Sequence, residues 1–224
     1  MSHRRNERAV AIPRPTILLT GFGAFPGVGS NVTADLIPQL AAAARGRYPG
    51  HEIISEVLPV EWSRAPSTLE ALLARVSPRL ALHFGVSHHV SGFQVELIGR
   101  NVRESRRDAT GKLPDGAHVM PAGPPILAAT LPAERILSRL SRAGFPCCAS
   151  NNAGTYLCNA LMYHSLAAAR ELPTPFLSGF IHVPAALSAS PCTAKETRAC
   201  RLTWTAAVAG SLEIIAACLD GAPA

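Results

Sequence analysis

A regular alternation of short apolar segments with longer amphipathic segments constrains the fold of this chain more than any other feature of its sequence. The short segments are rich in aliphatic residues and lie next to glycine, proline or polar turn residues, which is typical of buried strands. They span residues 16–20, 52–60, 80–86, 147–150 and 175–183. The longer segments carry apolar residues at helical spacing. They span residues 33–44, 63–76, 132–144, 156–170 and 193–219.

Strands that alternate with helices of this length favour βαβ units, in which helices cover parallel strands on both faces. Residues 93–102 alternate between apolar and polar side chains and are predicted to be a strand or a hairpin arm, so the sheet should be mixed. Residues 103–131 are rich in glycine and proline and are predicted to be a long connection. We therefore predict an α/β fold, with a single three-layer αβα domain and a mostly parallel, mixed central sheet, over residues 16–224.

The net charge of +6 is concentrated in two segments, half of it in residues 1–15 and half in residues 100–112. A surface that binds nucleic acid combines such basic residues with aromatic side chains on which bases stack. The chain has few aromatic residues, and none lies between Glu96 and Phe145. We therefore expect residues 1–15 to be a disordered, solvated basic tail, and we expect no nucleic-acid partner.

The sequence also bears on where the protein acts. No apolar run reaches the roughly 18 residues that a membrane-spanning helix needs. The apolar stretch at residues 9–12 is too short for a secretion signal, and Pro13 and Pro15 follow it. We therefore expect a cytoplasmic protein with no membrane partner. In that compartment the six cysteines, which form no CxxC pair, are expected to be reduced thiols.

The glycine-rich loop after the first predicted strand does not match a nucleotide-binding motif. Pro26 stands where the GxGxxG pattern needs its last glycine, and neither GKS nor GKT follows. Two aromatic residues of this region, Phe22 and Phe25, are either core residues or the walls of a small apolar pocket beside Asn31. The residues alone leave both interpretations open.

The sequence lacks the motifs that are typical of metal sites and of serine nucleophiles. His88 and His89 are adjacent, so on a strand they would point to opposite faces. The chain contains neither HExxH nor a Cys/His pair at ligand spacing. The stretch GVSHH lacks the second glycine of the GxSxG serine motif. We therefore expect no metal site and no serine nucleophile.

One set of three residues could support catalysis by a cysteine nucleophile. A reactive thiol favours a helix N-terminus and needs a histidine to exchange its proton, while a third group orients that histidine. Cys158 lies at the start of a predicted helix and His182 ends the strand that follows, so the two should meet at the carboxyl edge of the sheet. Glu96 is the candidate orienting group. The ordinary alternatives are a buried apolar cysteine, a solvated histidine and a surface glutamate.

Four stretches of the chain resemble the pyroglutamyl peptidase I family, also called the pyrrolidone-carboxylate peptidases. They are LLTGFGAFPG with Asn31, VELIGRN, SNNAGTYLCNALMY and FIHVP, and their order and spacing also match over residues 16–190. The resemblance implies a cysteine exopeptidase that releases N-terminal pyroglutamate through a thioester acyl-enzyme. It also implies a small peptide substrate with a blocked N-terminus, and neither a metal nor an organic cofactor.

The resemblance assigns the catalytic roles residue by residue. Cys158 would be the nucleophile, His182 its base and Glu96 the third member of a Cys-His-Glu triad. Arg106, ten positions after the glutamate, would stabilise the thiolate or the developing oxyanion. The alternative for Arg106 is an ordinary surface arginine.

The resemblance also implies a pocket for the substrate. The phenylalanines of the first loop would stack on the lactam ring, and two residues just before the nucleophile would complete the walls. Backbone atoms would hold the lactam amide after the third strand. The candidate substrate-binding residues are Phe22, Phe25, Asn31, Val86, Tyr156 and Leu157.

One stretch departs from the family pattern. The family carries G-Q/L-A-G-G-R after the third strand, whereas this chain carries GVSHHV at residues 85–90. Three functions therefore stay open: a pyroglutamyl peptidase, a related cysteine amidohydrolase with another acyl specificity, and a non-catalytic binding protein of the same fold. A homo-oligomer is compatible with all three.

Overall fold

A computed structural model describes residues 14–24, 31–189 and 202–220 of the chain. Eight strands lie in this part of the chain. They are β1 Thr16–Phe22, β2 Glu52–Leu58, β3 Leu80–Ser87, β4 Phe93–Glu96, β5 Ile98–Arg100, β6 Ile126–Ala128, β7 Cys147–Ser150 and β8 Leu177–Pro184. Six of them form a central sheet in the order β2-β1-β3-β8-β4-β7, and β5 pairs with β6 in a separate two-stranded sheet.

Five helices cover the two faces of the central sheet. They are α1 Val32–Arg47, α2 Arg64–Val76, α3 Ala133–Arg142, α4 Leu157–Glu171 and α5 Trp204–Leu219. Helices α1, α3 and α5 pack on one face, while α2 and α4 pack on the other. The strand β1 contributes Ile17 and Leu19 to the first core and Leu18 to the second. This burial on both faces explains why β1 is a continuous apolar run rather than an alternating one.

The strand directions determine where the site can lie. β1, β2, β3 and β8 are mutually parallel, so their carboxyl ends meet at one edge of the sheet. β4 is antiparallel to β8 and places Gln94 opposite His182. Helix α4 begins at this same edge, after the loop that follows β7. The reversed strand therefore brings polar side chains of β4 beside the end of β8.

The predicted α/β fold with a mostly parallel, mixed sheet is confirmed. The segment at residues 93–102 is not one strand, because it divides at Leu97 into β4 and β5, which belong to different sheets. The predicted long connection over residues 103–131 contains one strand, β6, that the sequence did not indicate. That strand is three residues long and follows two prolines, too short for alternation to identify it.

The predictions for the two ends of the chain extend beyond the residues that the structure describes. The closing helix begins at Trp204, after Thr203, whose side chain accepts a hydrogen bond from the backbone of Ala206. The predicted start at residue 193 lies outside the described residues, as do residues 1–13 of the predicted tail. No helix in the described part of the chain combines the length and the apolar character needed to cross a membrane.

Candidate active site

Cys158 lies at the carboxyl edge of the sheet, as the second residue of α4. Gly85 of β3 faces its sulfur, and a Cβ atom built on this glycine would lie only 2.9 Å from Sγ. The absence of a side chain at Gly85 therefore lets the half-buried thiol approach the strand closely. The N-terminus of α4 carries a positive partial charge, which favours negative charge on a group in its first turn.

His182 lies near the carboxyl end of β8 and is only 6% exposed. Its ring packs against Phe180, with the ring centroids 4.9 Å apart. Its Nδ1 lies 2.7 Å from Oε1 of Glu96. Because Nδ1 is engaged by this carboxylate, Nε2 is the nitrogen that can exchange a proton with the thiol.

Glu96 ends β4 and has no exposed surface. Burial by itself would raise the pKa of this carboxyl group. Hydrogen bonds from His182 and Gln94 outweigh that effect and lower the pKa below its ordinary value. Glu96 is therefore an ionised carboxylate at neutral pH, and it orients the imidazole ring.

His182 and Cys158 are coupled through a hydrogen bond. Burial of the ring opposes its protonation, but the hydrogen bonds to Cys158 and Glu96, together with their charges, raise the pKa of His182 to about 9. The imidazole therefore keeps its second proton at neutral pH. This arrangement favours an imidazolium held between a carboxylate and a sulfur, and such an imidazolium can donate a proton to a leaving group.

A cavity of about 760 Å³ opens beside these two residues and includes both in its wall. Six of the remaining sequence-predicted site residues that are described also line it: Phe22, Asn31, Val86, Arg106, Tyr156 and Leu157. Of the other two, Glu96 does not line the cavity, and Phe25 lies outside the described residues. The structure thus brings together, around one cavity, side chains that the sequence separates by more than a hundred positions.

The end of β1 and the residue that caps α1 both contribute to the cavity wall. Phe22 is 3% exposed and packs against Phe180 at 6.4 Å between ring centroids, so it is both a core residue and a wall residue. Asn31 uses its side chain within the loop: Nδ2 donates to the carbonyl of Gly23, and Oδ1 accepts from the backbone and hydroxyl of Thr33. Asn31 therefore shapes the wall by capping α1.

Arg106 and Tyr156 form one side of the cavity. The guanidinium carbon of Arg106 lies 4.7 Å from the centroid of the Tyr156 ring, and Nη1 lies 3.6 Å from Oε1 of Glu104. The edge of the Tyr156 ring meets Trp62 at 5.1 Å between centroids. The Arg106 side chain is 57% exposed, so it places a hydrated positive charge on the cavity wall.

Several polar wall residues were not assigned to the site by the sequence. The clearest are Gln94, Ser150 and Thr155, together with His88 and His89. Gln94 stands two positions before Glu96 on a strand, and this shared face is the signal that could have identified it.

The two adjacent histidines do not behave as strand residues. β3 ends at Ser87, and His88 and His89 lie in the turn that follows, so both line the cavity instead of pointing to opposite faces of a strand. Within residues 14–24, 31–189 and 202–220, no group of three or more His, Cys, Asp or Glu side chains could hold a metal ion.

The chain matches one family model, that of pyroglutamyl peptidase, over residues 15–217. The pyrrolidone-carboxylate peptidase of Pyrococcus furiosus is 35% identical over 169 residues, which is 75% of this chain and 80% of that protein. The protein of the same name from Clavibacter michiganensis is 33% identical over 172 residues, covering 76% of this chain and 78% of its own length.

A solved structure shares the architecture as well. The crystal structure of pyrrolidone carboxyl peptidase from Pyrococcus furiosus superposes with a TM-score of 0.80 at 29% identity, covering 92% of this chain and 98% of that one. The match spans most of both chains, so it includes the sheet, the helices and the edge that carries the cavity. This chain therefore belongs to the pyroglutamyl peptidase I family.

Proposed function

We propose that this protein is a cysteine exopeptidase that hydrolyses the amide bond after an N-terminal pyroglutamate. The observation that carries the proposal is the row of side chains from Glu96 through His182 to Cys158, which ends at the cavity wall. The row contains the three groups that acyl transfer to a thiol needs: a nucleophile, a proton carrier and an orienting carboxylate. Membership of a peptidase family supports the same function.

The first half of the reaction forms a thioester. The thiolate of Cys158 attacks the carbonyl carbon of pyroglutamate, and the carbonyl oxygen takes up the negative charge. When this tetrahedral intermediate collapses, the C–N bond breaks and the imidazolium of His182 gives its proton to the departing amine. The acyl group is then bound to sulfur, and His182 is neutral.

The second half of the reaction restores the enzyme. Neutral His182 removes a proton from water as the water oxygen attacks the thioester carbon. The C–S bond breaks, pyroglutamate leaves, and the imidazolium and thiolate form again. Throughout the cycle Glu96 accepts from Nδ1 of His182, which keeps Nε2 directed to the reacting atoms.

The developing oxyanion needs hydrogen-bond donors, and the first turn of α4 supplies them. The first backbone N–H groups of a helix have no partner within the helix, and Tyr156 makes no capping hydrogen bond to them with its side chain. We assign the backbone N–H of Cys158 to the oxyanion. Arg106 adds a positive charge on the same wall, weakened by its exposure to water.

The cavity suits an acyl group that is small, neutral and nearly flat. Phe22, Tyr156 and Leu157 provide apolar walls. A free peptide N-terminus is positively charged and would need a carboxylate to pair with it in the cavity. Among the described wall residues only Glu104 carries one. That carboxylate already accepts from the hydroxyl of Thr155 at 3.0 Å and pairs with Arg106. An uncharged lactam therefore fits better than a charged amine.

A second function, a cysteine amidohydrolase with another acyl specificity, is favoured by one observation. The turn that departs from the family pattern places the imidazoles of His88 and His89 on the cavity wall. These side chains change the shape and polarity of the space that an acyl group or a leaving peptide occupies. They do not alter the row of groups that carries out the chemistry.

Hydrolysis of chromogenic amides distinguishes these functions. We expect turnover of a pyroglutamyl amide and none of the matching prolyl amide, whose ring carries a charged amine. Turnover of a different N-acyl amide alone would select the second function. If no amide is turned over and iodoacetamide does not alkylate Cys158 selectively, the protein is a binding protein and the proposal is wrong.

A cysteine variant tests the nucleophile in the same assay. Replacing Cys158→Ser keeps the size of the side chain, so the chain should fold while kcat/KM falls on the order of a thousandfold or more. The matched control is Cys147→Ser, since Cys147 donates to the carbonyl of Leu137 and lies outside the cavity wall. Near wild-type activity in Cys158→Ser would refute the assignment.

A further inference from the structure

Gln94 is a residue of the cavity wall to which the proposed mechanism gives no role. It is half-buried and lies on β4 two positions before Glu96, so both side chains project from the same face of the strand. In the antiparallel pairing of β4 with β8, Gln94 stands directly opposite His182. Gln94 is therefore adjacent to both members of the carboxylate–imidazole pair.

The amide of Gln94 hydrogen-bonds to the oxygen that orients the histidine. Its Nε2 donates to Oε1 of Glu96 at 2.6 Å, and Nδ1 of His182 lies 2.7 Å from that same oxygen. A carboxylate only accepts hydrogen bonds, so the amide must present its NH₂ end. The carbonyl end of Gln94 accepts from Sγ of Cys148 at 3.8 Å, which holds the amide in this orientation.

The charge on Glu96 depends on such donors. Glu96 has no exposed surface, so water does not contact its carboxylate directly. Burial raises its pKa, while the hydrogen bonds from His182, Gln94 and Ser150, together with the charge of His182, lower it. Without the amide donor, Glu96 would take up a proton at a higher pH, and a neutral Glu96 no longer stabilises the imidazolium of His182.

We propose that Gln94 is a positioning residue that keeps Glu96 ionised and fixes the oxygen to which His182 is bound. It contacts no reacting atom and acts through Glu96. The inference rests on the proposed function in one respect, namely that His182 is the proton carrier of a thiol reaction.

Two variants of this residue test the role in the pyroglutamyl amide assay. Gln94→Met keeps the length of the side chain and removes the donor. We expect the acid limb of the kcat/KM profile to move up by about one pH unit, because a hydrogen bond to a charged group is worth about that much. The value of kcat/KM should therefore fall about tenfold on that limb and less at pH 7, with KM nearly unchanged. Gln94→Glu keeps the shape but sets two carboxylates side by side, which share one proton, so its loss at neutral pH should be larger.

The matched control is Gln39→Met on the exposed face of α1, where Gln39 donates only to the backbone of Asp35. We expect its activity, its pH profile and its unfolding midpoint to equal those of the wild type. If the acid limb stays unchanged in both Gln94 variants while they fold normally, the proposal is overturned. A fall in activity with no displacement of the acid limb indicates a merely structural role and also overturns it.

A second readout separates this inference from the proposed function, because it needs no substrate. Iodoacetamide alkylates the thiolate of Cys158, and mass spectrometry of the peptide that contains Cys158 gives the rate at each pH. We expect the acid limb of this rate to move up in Gln94→Met as well. If the wild type turns over no pyroglutamyl amide but this displacement is present, the proposed function fails and the role of Gln94 stands. Where Gln94→Met does not fold, the same alkylation profile of the isosteric Gln94→Glu decides the question.

Discussion

Gly85 of β3 and Cys158 of α4 approach each other so closely that the strand has no room for a side chain at this point. A Cβ atom on Gly85 would lie 2.9 Å from Sγ of Cys158 and 2.7 Å from the ring of Phe180. Both distances are shorter than the non-bonded contacts that Cβ atoms make in proteins, so even a methyl group must displace one of these neighbours. The position of the sulfur therefore depends on a glycine of the neighbouring strand as well as on its own helix.

We predict that Gly85→Ala impairs catalysis more than folding. The added methyl group pushes the thiol away from its position beside His182, and a displacement of about 1 Å can cost up to roughly a hundredfold in rate. We expect kcat/KM for the pyroglutamyl amide to fall ten- to a hundredfold. The control is Gly46→Ala, where nothing lies within 4 Å of the new methyl group and activity should be unchanged. Full activity in Gly85→Ala would show that the sulfur position is not critical.

The raised pKa of His182 predicts a basic limb in the pH profile. In the proposed mechanism the imidazolium donates a proton to the leaving amine. Burial lowers the pKa of His182, but hydrogen bonds to Cys158 and Glu96 raise it to about 9. We therefore expect kcat/KM to be lost as the pH rises through about 9. A basic limb near the ordinary histidine value of about 6.5 would contradict this assignment.

The same shift predicts how stability varies with pH. Because the pKa of His182 in the folded state exceeds its unfolded value, the stabilisation is fully present below about pH 6.5 and is lost as the pH rises through about 9. In Cys158→Ser the sulfur that interacts with His182 is absent, so this loss should begin at a lower pH. Denaturant unfolding of both proteins between pH 6 and pH 10 measures the difference.

The parts of this fold that the sequence predicts are the parts with a local signal. Each helix carries a helical period, and each long strand is a short apolar run next to turn residues. Cys158 and His182 could be assigned to one edge of the sheet because both lie at the ends of consecutive elements. The direction of β4 has no such signal, since residues 93–102 contain no turn motif and the reversal appears only in the pairing with β8.

The polar residues of the cavity were harder to predict than its catalytic row. A glutamine on a strand ordinarily faces water, and only the register of β4 against β8 places Gln94 beside Glu96. Asn31 was predicted as a pocket residue and does line the cavity, yet its hydrogen bonds serve the first loop and the start of α1. Local patterns do not distinguish these roles, because each depends on contacts between distant segments.

A histidine outside the cavity predicts an acid-dependent loss of stability. His83 is fully buried in β3, where its ring nitrogens lie 2.8 Å from Oγ1 of Thr20 and 2.7 Å from Oγ of Ser165. Burial lowers the pKa of His83 to about 3, so the folded state holds it neutral while the unfolded chain protonates it near pH 6.5. Stability from this residue is therefore present above about pH 6.5 and decreases as the pH falls below it.

The variant His83→Gln isolates this effect. We expect the stability advantage of the wild type over His83→Gln to shrink by about 2 kcal/mol between pH 7 and pH 5, since each pH unit below the unfolded pKa costs about 1.4 kcal/mol. Urea unfolding at the two pH values gives both free energies, and the pyroglutamyl amide assay at pH 7 shows that the site is intact. An advantage that is equal at both values would mean that His83 binds protons in the folded state as readily as in the unfolded chain, and would contradict the prediction.

The histidines of the turn after β3 predict an effect on substrate binding rather than on chemistry. His88 and His89 line the cavity but belong to no contact within the row from Glu96 to Cys158. In the double variant His88→Gly and His89→Gly, which restores the two adjacent glycines of the family pattern, we expect kcat to stay within about twofold. KM for a pyroglutamyl peptide should rise about three- to tenfold, because loss of about 1 kcal/mol of contact between the imidazoles and the substrate weakens binding of ground state and transition state alike.

The control is His118→Gly, an exposed position outside the cavity wall, where both kcat and KM should be unchanged. A lower KM for pyroglutamyl substrates in the double variant would instead indicate that the two imidazoles obstruct the lactam, and it would favour the amidohydrolase with a different acyl group.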